Sequence, residues 1–190
     1  MLAEQMMIPM NKIPKFCQYC GHPLREEERL RQIQPFPCSN PDLTKPHEIW
    51  VSPNPVAVHI LLIDLPDNRT GVPFGLRSVR EDPGFGKWSL PGGFVGCETA
   101  RRAAVRELGE EFGVEINEID ALFLTDYYDA VTHCVNLFHA SRWPQREPPK
   151  LEAKAENKLV RIFTLDDLPK DLAFPYQERM VMEAVAQHYI

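Results

Sequence analysis

The chain has 190 residues, of which 44% are hydrophobic and 25% are charged, and this composition excludes global disorder and fibrous repeats. The net charge of −6 disfavours non-specific binding to DNA or to anionic membranes. The sequence has no apolar run of about 18 residues, so we expect a soluble protein without a membrane span. Its five cysteines are then reduced or metal-bound, as is usual in the cytoplasm.

The sequence predicts three parts. Residues 1–15 resemble a loose leader, and the apolar residues at its start lack the basic region of a signal peptide. Residues 16–51 contain cysteine, histidine and many prolines but too few aliphatic residues for a core of their own. Residues 52–190 alternate strand-like and helix-like segments, which predicts a layered α/β or α+β domain.

Periodicity and turn residues predict the elements of the last part in chain order. A β-branched run predicts a buried central strand over Val56–Ile63, followed by a turn over Gly71–Gly75, a short strand over Leu76–Val79 and a turn over Asp82–Gly84. Helical spacing predicts a helix over Glu98–Phe112, which Gly113 ends. The remaining predictions are strands over Ala121–Tyr127, His133–His139 and Leu159–Leu165, a long loop over Trp143–Asn157, and a closing helix over Tyr176–Tyr189.

The predicted central helix carries three carboxylates on one face. Glu107, Glu110 and Glu111 stand at positions i, i+3 and i+4, so their side chains lie together. A solvated acidic face tolerates such crowding at a cost of a few tenths of a kcal/mol per pair. In a cleft, the same group of carboxylates is suited to bind Mg²⁺ or Mn²⁺.

The residues around this helix resemble a known family. The stretch Leu90-Pro91 is followed by Gly92-x5-Glu98-x7-Arg106-Glu107-Leu108-x-Glu110-Glu111-x-Gly113-Val114. This pattern is similar to the signature of the Nudix hydrolases, G-x5-E-x7-R-E-U-x-E-E-x-G-U, where U is aliphatic. Counted from Gly93, the spacer before Glu98 has four residues rather than five, and Cys97 stands where glycine is common.

The resemblance implies a fold, a chemistry and a set of site residues. The fold is the Nudix α/β/α sandwich with a mixed sheet, and homodimers are common in the family. The activity is cleavage of a nucleoside diphosphate linked to another group, with Mg²⁺ or Mn²⁺ held by Glu107, Glu110 and Glu111, and with Glu98 as a further metal ligand. Arg106 would orient a glutamate, although an ordinary helical ion pair with Glu110 also explains it.

The resemblance to Nudix enzymes implies that the general base is a helix glutamate or a carboxylate from a later loop. Glu152 and Glu156 are the loop candidates, and Glu156 is favoured because it directly precedes a predicted strand. A solvated loop glutamate explains Glu156 equally well.

The cysteines of residues 16–51 suggest a zinc ribbon. Cys17-x2-Cys20-Gly21 is half of a zinc knuckle, but Cys38 has no cysteine partner at the same spacing. In zinc ribbons that precede Nudix domains, the last ligand stands shortly before an aromatic residue and an Asn-Pro pair, and this spacing leads to His47. We therefore expect a structural zinc site of the Cys3His type, with His22 as the rival fourth ligand and free cysteines as the alternative. The predicted ligands are Cys17, Cys20, Cys38 and His47.

A ribbon followed by a Nudix domain is similar to two groups of enzymes, the NADH pyrophosphatases and the enzymes that act on ADP-ribose or FAD. The chain lacks the S-Q-P-W-P-F-P-x-S motif of the first group, and its nearest fragment is Leu172-Ala173-Phe174-Pro175. Hydrolysis of an ADP-sugar or a dinucleotide (FAD or NADH) is therefore the first prediction, with ADP-ribose ahead of NADH. The alternatives are a nucleoside-triphosphate or RNA-cap hydrolase and a non-catalytic nucleotide sensor. Tyr127, Tyr128 and Phe174 are candidates for base stacking.

Overall fold

The computed structural model describes residues 8, 10–32 and 34–188 and divides into two compact units. One comprises residues 1–54 with 128–135, and the other comprises residues 55–127 with 136–190. Residues 1–7 and 9 of the predicted leader lie outside the described residues, as does Tyr189 of the predicted closing helix. Within the described ranges, the helices are all too short or too polar to cross a membrane.

The first unit has little regular structure and a small core. It contains α1 (Glu26–Arg31) and two short strands, β1 (Phe36–Pro37) and β2 (Glu48–Ile49), which pair antiparallel. Phe36 is fully buried and pairs with Ile49. Ile8 and Ile13 of the predicted loose leader are instead buried in the same core.

The second unit is built on a seven-stranded mixed sheet. The sheet order is β5-β4-β3-β8-β7, with β6 pairing with β3 and β9 pairing with β4. The strands are β3 (Asn54–Asp64), β4 (Thr70–Arg77), β5 (Trp88–Ser89), β6 (Gly92–Phe94), β7 (Leu122–Asp129), β8 (Cys134–Arg142) and β9 (Asn157–Thr164). The helices are α2 (Ala100–Phe112) and α3 (Tyr176–His188), with short 3-10 turns at Glu118–Asp120 and Leu165–Asp167.

The two helices cover opposite faces of the sheet, because successive residues of a strand point to opposite sides. Ile60 and Leu62 of β3 pack in one core with Met180 of α3, whereas Leu61 of β3 packs in another with Leu108 of α2. All five side chains are fully buried. This arrangement confirms the predicted α/β/α layering around a mixed sheet.

The turn predicted over residues 71–75 is wrong, and the strand predicted over Leu76–Val79 is the end of a longer strand that stops at Arg77. Residues 71–75 form the middle of β4 rather than a turn, and the chain turns earlier, between Leu65 and Arg69. Glycine is required in this strand for packing, since a β-carbon at Gly71 would lie 2.5 Å from the side chain of Ile162 on β9. Two glycines and a proline in five residues indicate a turn locally, but the pairing of β4 with β3, β5 and β9 makes the segment a strand.

Candidate active site and candidate zinc site

Helix α2 is the element that places the carboxylates. Thr99 caps its N-terminus by accepting a hydrogen bond from the backbone N–H of Arg102, and Gly113 ends it with a φ of 72°. The helix therefore starts two residues later than predicted and ends where predicted. Its apolar side packs on the sheet through Leu108 and Phe112, both fully buried. This packing turns the adjacent carboxylates towards the strand β6.

Arg106 brings three glutamates together. Its Nε donates to Glu98 Oε1 at 2.9 Å, and its Nη1 donates to Glu107 Oε1 at 2.7 Å and to Glu110 Oε2 at 2.8 Å. Its Nη2 also donates to the backbone oxygen of Phe94 at 3.4 Å. The hydrogen bond with Glu98, followed by those with Glu107 and Glu110, raises the pKa of Arg106. The guanidinium thus both crosslinks the carboxylates and ties them to the loop that enters the helix.

Glu111 differs from the other helix glutamates because it is buried. Only 5% of the residue is exposed. Its Oε1 accepts from the backbone N–H of Gly92 at 3.0 Å, and its Oε2 accepts from Asn157 Nδ2. Burial raises the pKa of Glu111 to about 7 against the opposing effect of these two hydrogen bonds, and the charge of Glu107 raises it further.

The two glycines of β6 allow the glutamates to come close. A β-carbon at Gly92 would lie 2.6 Å from the backbone oxygen of Ala57, and one at Gly93 would lie 2.3 Å from Glu107 Oε1. Glycine is therefore needed at Gly92 for the pairing of β6 with β3, and at Gly93 for the position of the Glu107 carboxylate.

Glu156 directly precedes β9 and lies within electrostatic range of the helix carboxylates. Arg77 Nη2 is 3.2 Å from Asp82 Oδ2 and 3.3 Å from Glu156 Oε2. Partial burial and the negative charge of Asp82 raise the pKa of Glu156, Arg77 lowers it, and Glu107 raises it further. Half of the side chain is exposed, so it remains accessible to solvent.

Glu152, the other loop candidate, is engaged elsewhere. Its carboxylate pairs with Lys150 at 3.1 Å and with Lys154 at 3.5 Å, and these two lysines lower its pKa. The geometry therefore favours Glu156 over Glu152 as the loop carboxylate beside the helix.

Two further residues at this site have no signal in the sequence. Asn157 contacts Glu111 and is 7% exposed, and the side chain of Arg77 is 12% exposed beside Glu156. Arg77 also lies against the ring of Phe174, with 6.0 Å between the guanidinium carbon and the ring centroid. The two residues come from different strands, and the β4–β9 pairing makes them direct neighbours in the sheet.

In the first unit, three thiols and one imidazole converge. The ligand atoms of the four residues all lie within 4.8 Å of one another. Cys17 Sγ is 3.4 Å from His47 Nδ1, and Cys20 Sγ is 3.5 Å from Cys38 Sγ. These distances match those between ligands of one tetrahedral zinc ion, given Zn–S and Zn–N distances of about 2.3 and 2.0 Å. The cluster consists of Cys17, Cys20, Cys38 and His47.

The backbone explains why His47 rather than His22 joins the cluster. The N–H of Cys38 donates to the carbonyl of His47 at 2.9 Å, next to the β1–β2 pair, so the two residues face each other. His22 is instead part of the knuckle turn, where its carbonyl accepts from the N–H of Cys17 at 2.8 Å. Gly21 in that turn has a φ of 71°, which favours glycine.

Comparison with known proteins identifies the domain. A model of the NUDIX domain family matches residues 53–184. The fold is similar to a MutT/nudix family protein from Enterococcus faecalis, with a TM-score of 0.63 and 22% identity over 74% of this chain and 63% of that chain. This chain thus spans less than two thirds of the Enterococcus faecalis protein.

Two other solved structures match over more of their length. The NUDIX domain of Shewanella oneidensis NrtR, crystallised with ADP ribose, has a TM-score of 0.61 and 20% identity, covering 87% of this chain and 99% of that chain. A NUDIX hydrolase from Nitrosomonas europaea has a TM-score of 0.62 and 21% identity, covering 91% of this chain and 93% of that chain. A search of curated proteins found no match. Since the family model spans more than half of the chain, the protein belongs to the Nudix family.

Proposed function

We propose that the protein is a metal-dependent pyrophosphohydrolase that cleaves the diphosphate of a nucleoside diphosphate linked to another group, with ADP-ribose as its first substrate ahead of FAD and NADH. The observation that carries the proposal is the convergence of Glu98, Glu107 and Glu110 on one guanidinium, next to the buried carboxylate of Glu111. Four crowded carboxylates repel one another, and a single arginine offsets only part of their charge. Such a cluster is suited to divalent cations.

Carboxylates are the oxygen ligands that hard cations prefer. Among the described residues the oxygens of three glutamates do not all come within 4.8 Å of one another, so the carboxylates would turn towards a cation when it binds. Glu107, Glu110 and Glu111 would hold Mg²⁺ or Mn²⁺, with Glu98 as a further ligand. The bound cation would neutralise phosphate oxygens and lower the pKa of an attacking water. Arg106 fixes the directions of the carboxylates, and Gly93 leaves room for that of Glu107.

Glu156 is the proposed general base. In the reaction, the oxygen of water bonds to one phosphorus, the bond from that phosphorus to the bridging oxygen breaks, and the proton of the water passes to the base. Glu156 combines an exposed carboxylate with a raised pKa, both suited to accepting that proton. Arg77, itself held by Asp82, keeps the carboxylate of Glu156 oriented.

Two observations support ADP-ribose. The Shewanella oneidensis domain, whose fold this chain shares, was crystallised with ADP ribose. In this chain the Leu172–Pro175 segment places Phe174 beside Arg77, and Tyr127 stacks on Tyr176 with ring centroids 4.2 Å apart. Aromatic rings near a cationic side chain suit a nucleobase and its phosphates. The expected products of ADP-ribose are AMP and ribose phosphate.

A substrate panel tests this function. Purified protein with Mg²⁺ is incubated with ADP-ribose, NADH, FAD, dATP and capped RNA, and the products are separated by chromatography. We expect AMP from ADP-ribose. We expect Glu110→Gln to lower the rate by more than about 100-fold, since loss of even an outer partner of a metal ligand costs about 10- to 100-fold. Glu115→Gln is the matched control, because Glu115 is exposed beyond the end of the helix.

Other outcomes of this panel identify the alternatives. Preference for dATP or capped RNA would replace ADP-ribose hydrolysis by triphosphate or cap hydrolysis. Tight binding of ADP-ribose without turnover, in wild type and variant alike, would overturn the enzymatic proposal in favour of a sensor.

We also propose that the Cys3His cluster of the first unit holds a structural Zn²⁺. All four ligand positions would be occupied by protein side chains, which leaves no open position for chemistry. In zinc peptides, binding contributes on the order of 10 kcal/mol to folding, a large amount for a unit with so small a core.

Cysteine chemistry supports the predicted cytoplasmic location. All five cysteines lie among the described residues, and none of them forms a disulfide. The homodimer and the lack of a DNA partner stay predictions.

A further inference from the structure

Asn157 contacts the candidate metal site without belonging to the Nudix signature. It is the first residue of β9 and only 7% exposed. Its Nδ2 donates to Glu111 Oε2, while the backbone N–H of Gly92 donates to the other oxygen of the same carboxylate at 3.0 Å. The Glu111 carboxylate is thereby hydrogen-bonded from two sides, by β6 on one side and by β9 on the other.

A β-bulge places Asn157 on the helix side of the sheet. Leu76 of β4 pairs with Leu159, but its neighbour Arg77 pairs with Asn157, so Lys158 is an extra residue in β9. Val160 packs in the core beneath α2, and strict alternation from Val160 would bring Lys158 to that face. The bulge replaces a cationic side chain with a neutral donor opposite the Glu111 carboxylate.

The side-chain oxygen of Asn157, Oδ1, is buried and has no hydrogen-bond donor at this position among the described residues. Gly75 of β4 lies beside it, and a β-carbon there would be 2.2 Å from Asn157 Oδ1. A buried acceptor without a partner costs stability. Rotating the side-chain amide by 180° would not solve this, because the amide oxygen would then face the Glu111 carboxylate, where a donor is needed.

We propose that Asn157 is a positioning residue, which holds Glu111 in the orientation needed to bind a divalent cation, and that Gly75 provides the space for it. The inference rests on the proposed function only in taking Glu111 as a metal ligand. Asn157 touches neither substrate nor metal in this role. It acts through the carboxylate that it holds.

The test measures metal affinity directly, by titrating Mn²⁺ and following its EPR signal or the heat of binding. Asn157→Leu keeps the size of the side chain and removes the donor. We expect the apparent Kd for Mn²⁺ to rise by about 10- to 100-fold. Gly75→Ala should weaken Mn²⁺ binding in the same direction, because its β-carbon would displace Asn157. That β-carbon would also lie 2.9 Å from Phe112 of α2, so the melting temperature of this variant is compared with that of Gly71→Ala.

Gly71→Ala is the matched control, because it also introduces a clash between β4 and β9 but does so at Ile162. We expect it to lower the melting temperature and leave the Mn²⁺ affinity unchanged. Circular dichroism identifies the folded variants. If Asn157→Leu does not fold, the Mn²⁺ affinity of Gly75→Ala tests the proposal in its place.

The outcomes separate this inference from the proposed function. Weak Mn²⁺ binding in folded Asn157→Leu, beside normal binding in Gly71→Ala, supports it. Wild-type Mn²⁺ affinity in Asn157→Leu or Gly75→Ala overturns it, provided that Glu111→Gln does weaken binding. If the wild type binds no Mn²⁺, or if Glu111→Gln binds Mn²⁺ as the wild type does, the proposed metal site itself is wrong.

Discussion

The carboxylate of Glu107 lies directly against the backbone of Gly93, where a β-carbon would come within 2.3 Å of Glu107 Oε1. Gly93 cannot move away easily, because it pairs with Ala57 in the sheet. On its other side, Glu107 is held by Arg106 at 2.7 Å. Gly93 of β6 and Arg106 together fix the position of this carboxylate.

We therefore expect Gly93→Ala to lower activity by about 100-fold, as displacements near 1 Å commonly do, because the methyl group displaces the Glu107 carboxylate. Steady-state hydrolysis of ADP-ribose at several Mg²⁺ concentrations measures the effect. Gly96→Ala is the control, since its β-carbon would meet no atom within 4 Å. Equal activity of the two variants would show that the position of Glu107 does not matter.

Much of this site follows from the sequence. The spacing of Glu107, Glu110 and Glu111 and the stop at Gly113 are local, so they fix both the helix and the face that carries the carboxylates. The role of β4 could not be predicted, because Gly71 and Gly75 indicate a turn unless their partners on β9 are known. Local sequence specifies a helix but not which distant strands pair.

Glu111→Gln should abolish hydrolysis and yet stabilise the metal-free protein at high pH. Burial raises the pKa of Glu111 from 4.5 to about 7, so the folded state favours the protonated acid. In the wild type, the protonated acid contributes to the free energy of unfolding below pH 4.5, and this contribution is lost as the pH rises through 7. The glutamine variant does not titrate, so its free energy of unfolding does not fall for this reason.

Urea unfolding without added divalent metal, at pH 5 and pH 8, measures this difference. We expect the wild type to lose roughly 2 kcal/mol more than Glu111→Gln between the two values. Equal losses in the two proteins would show that the burial of Glu111 is not costly.

His59 should make the protein sensitive to acid. It is fully buried in β3, where its Nε2 lies 2.9 Å from Ser141 Oγ. Burial, with a smaller effect of His139, lowers its pKa to about 3. The folded state therefore excludes the charged ring, and stability present above pH 6.5 falls as the pH drops towards 3.

His59→Gln keeps a donor for Ser141 and removes the titration. Between pH 7 and pH 5 we expect the wild type to lose up to about 2 kcal/mol more than the variant, measured by urea unfolding. The difference between the two proteins isolates His59 from Glu111, which both of them contain. Parallel curves would contradict the prediction.

The zinc proposal predicts which histidine matters. His47 Nδ1 is 3.4 Å from Cys17 Sγ, whereas the cluster does not include His22. We expect one zinc per purified chain by mass spectrometry of metals, a loss of most of it in His47→Ala, and full retention in His22→Ala. Cys97→Ser is a further control, since Cys97 is exposed and lies outside the cluster.

Removal of the zinc should unfold the first unit, because its core holds few apolar side chains and depends on the crosslink between the knuckle turn and the β1–β2 pair. With a strong chelator, we expect trypsin to cut first at basic residues of this unit, such as Lys15, Arg25 and Arg31, while α2 stays protected by the sheet on which it packs. Limited proteolysis followed by mass measurement locates the cuts. If the chelated protein resists trypsin as the untreated protein does, the hydrophobic contacts of Phe36 and Ile49 alone hold the unit together, and the cluster is not a structural zinc site.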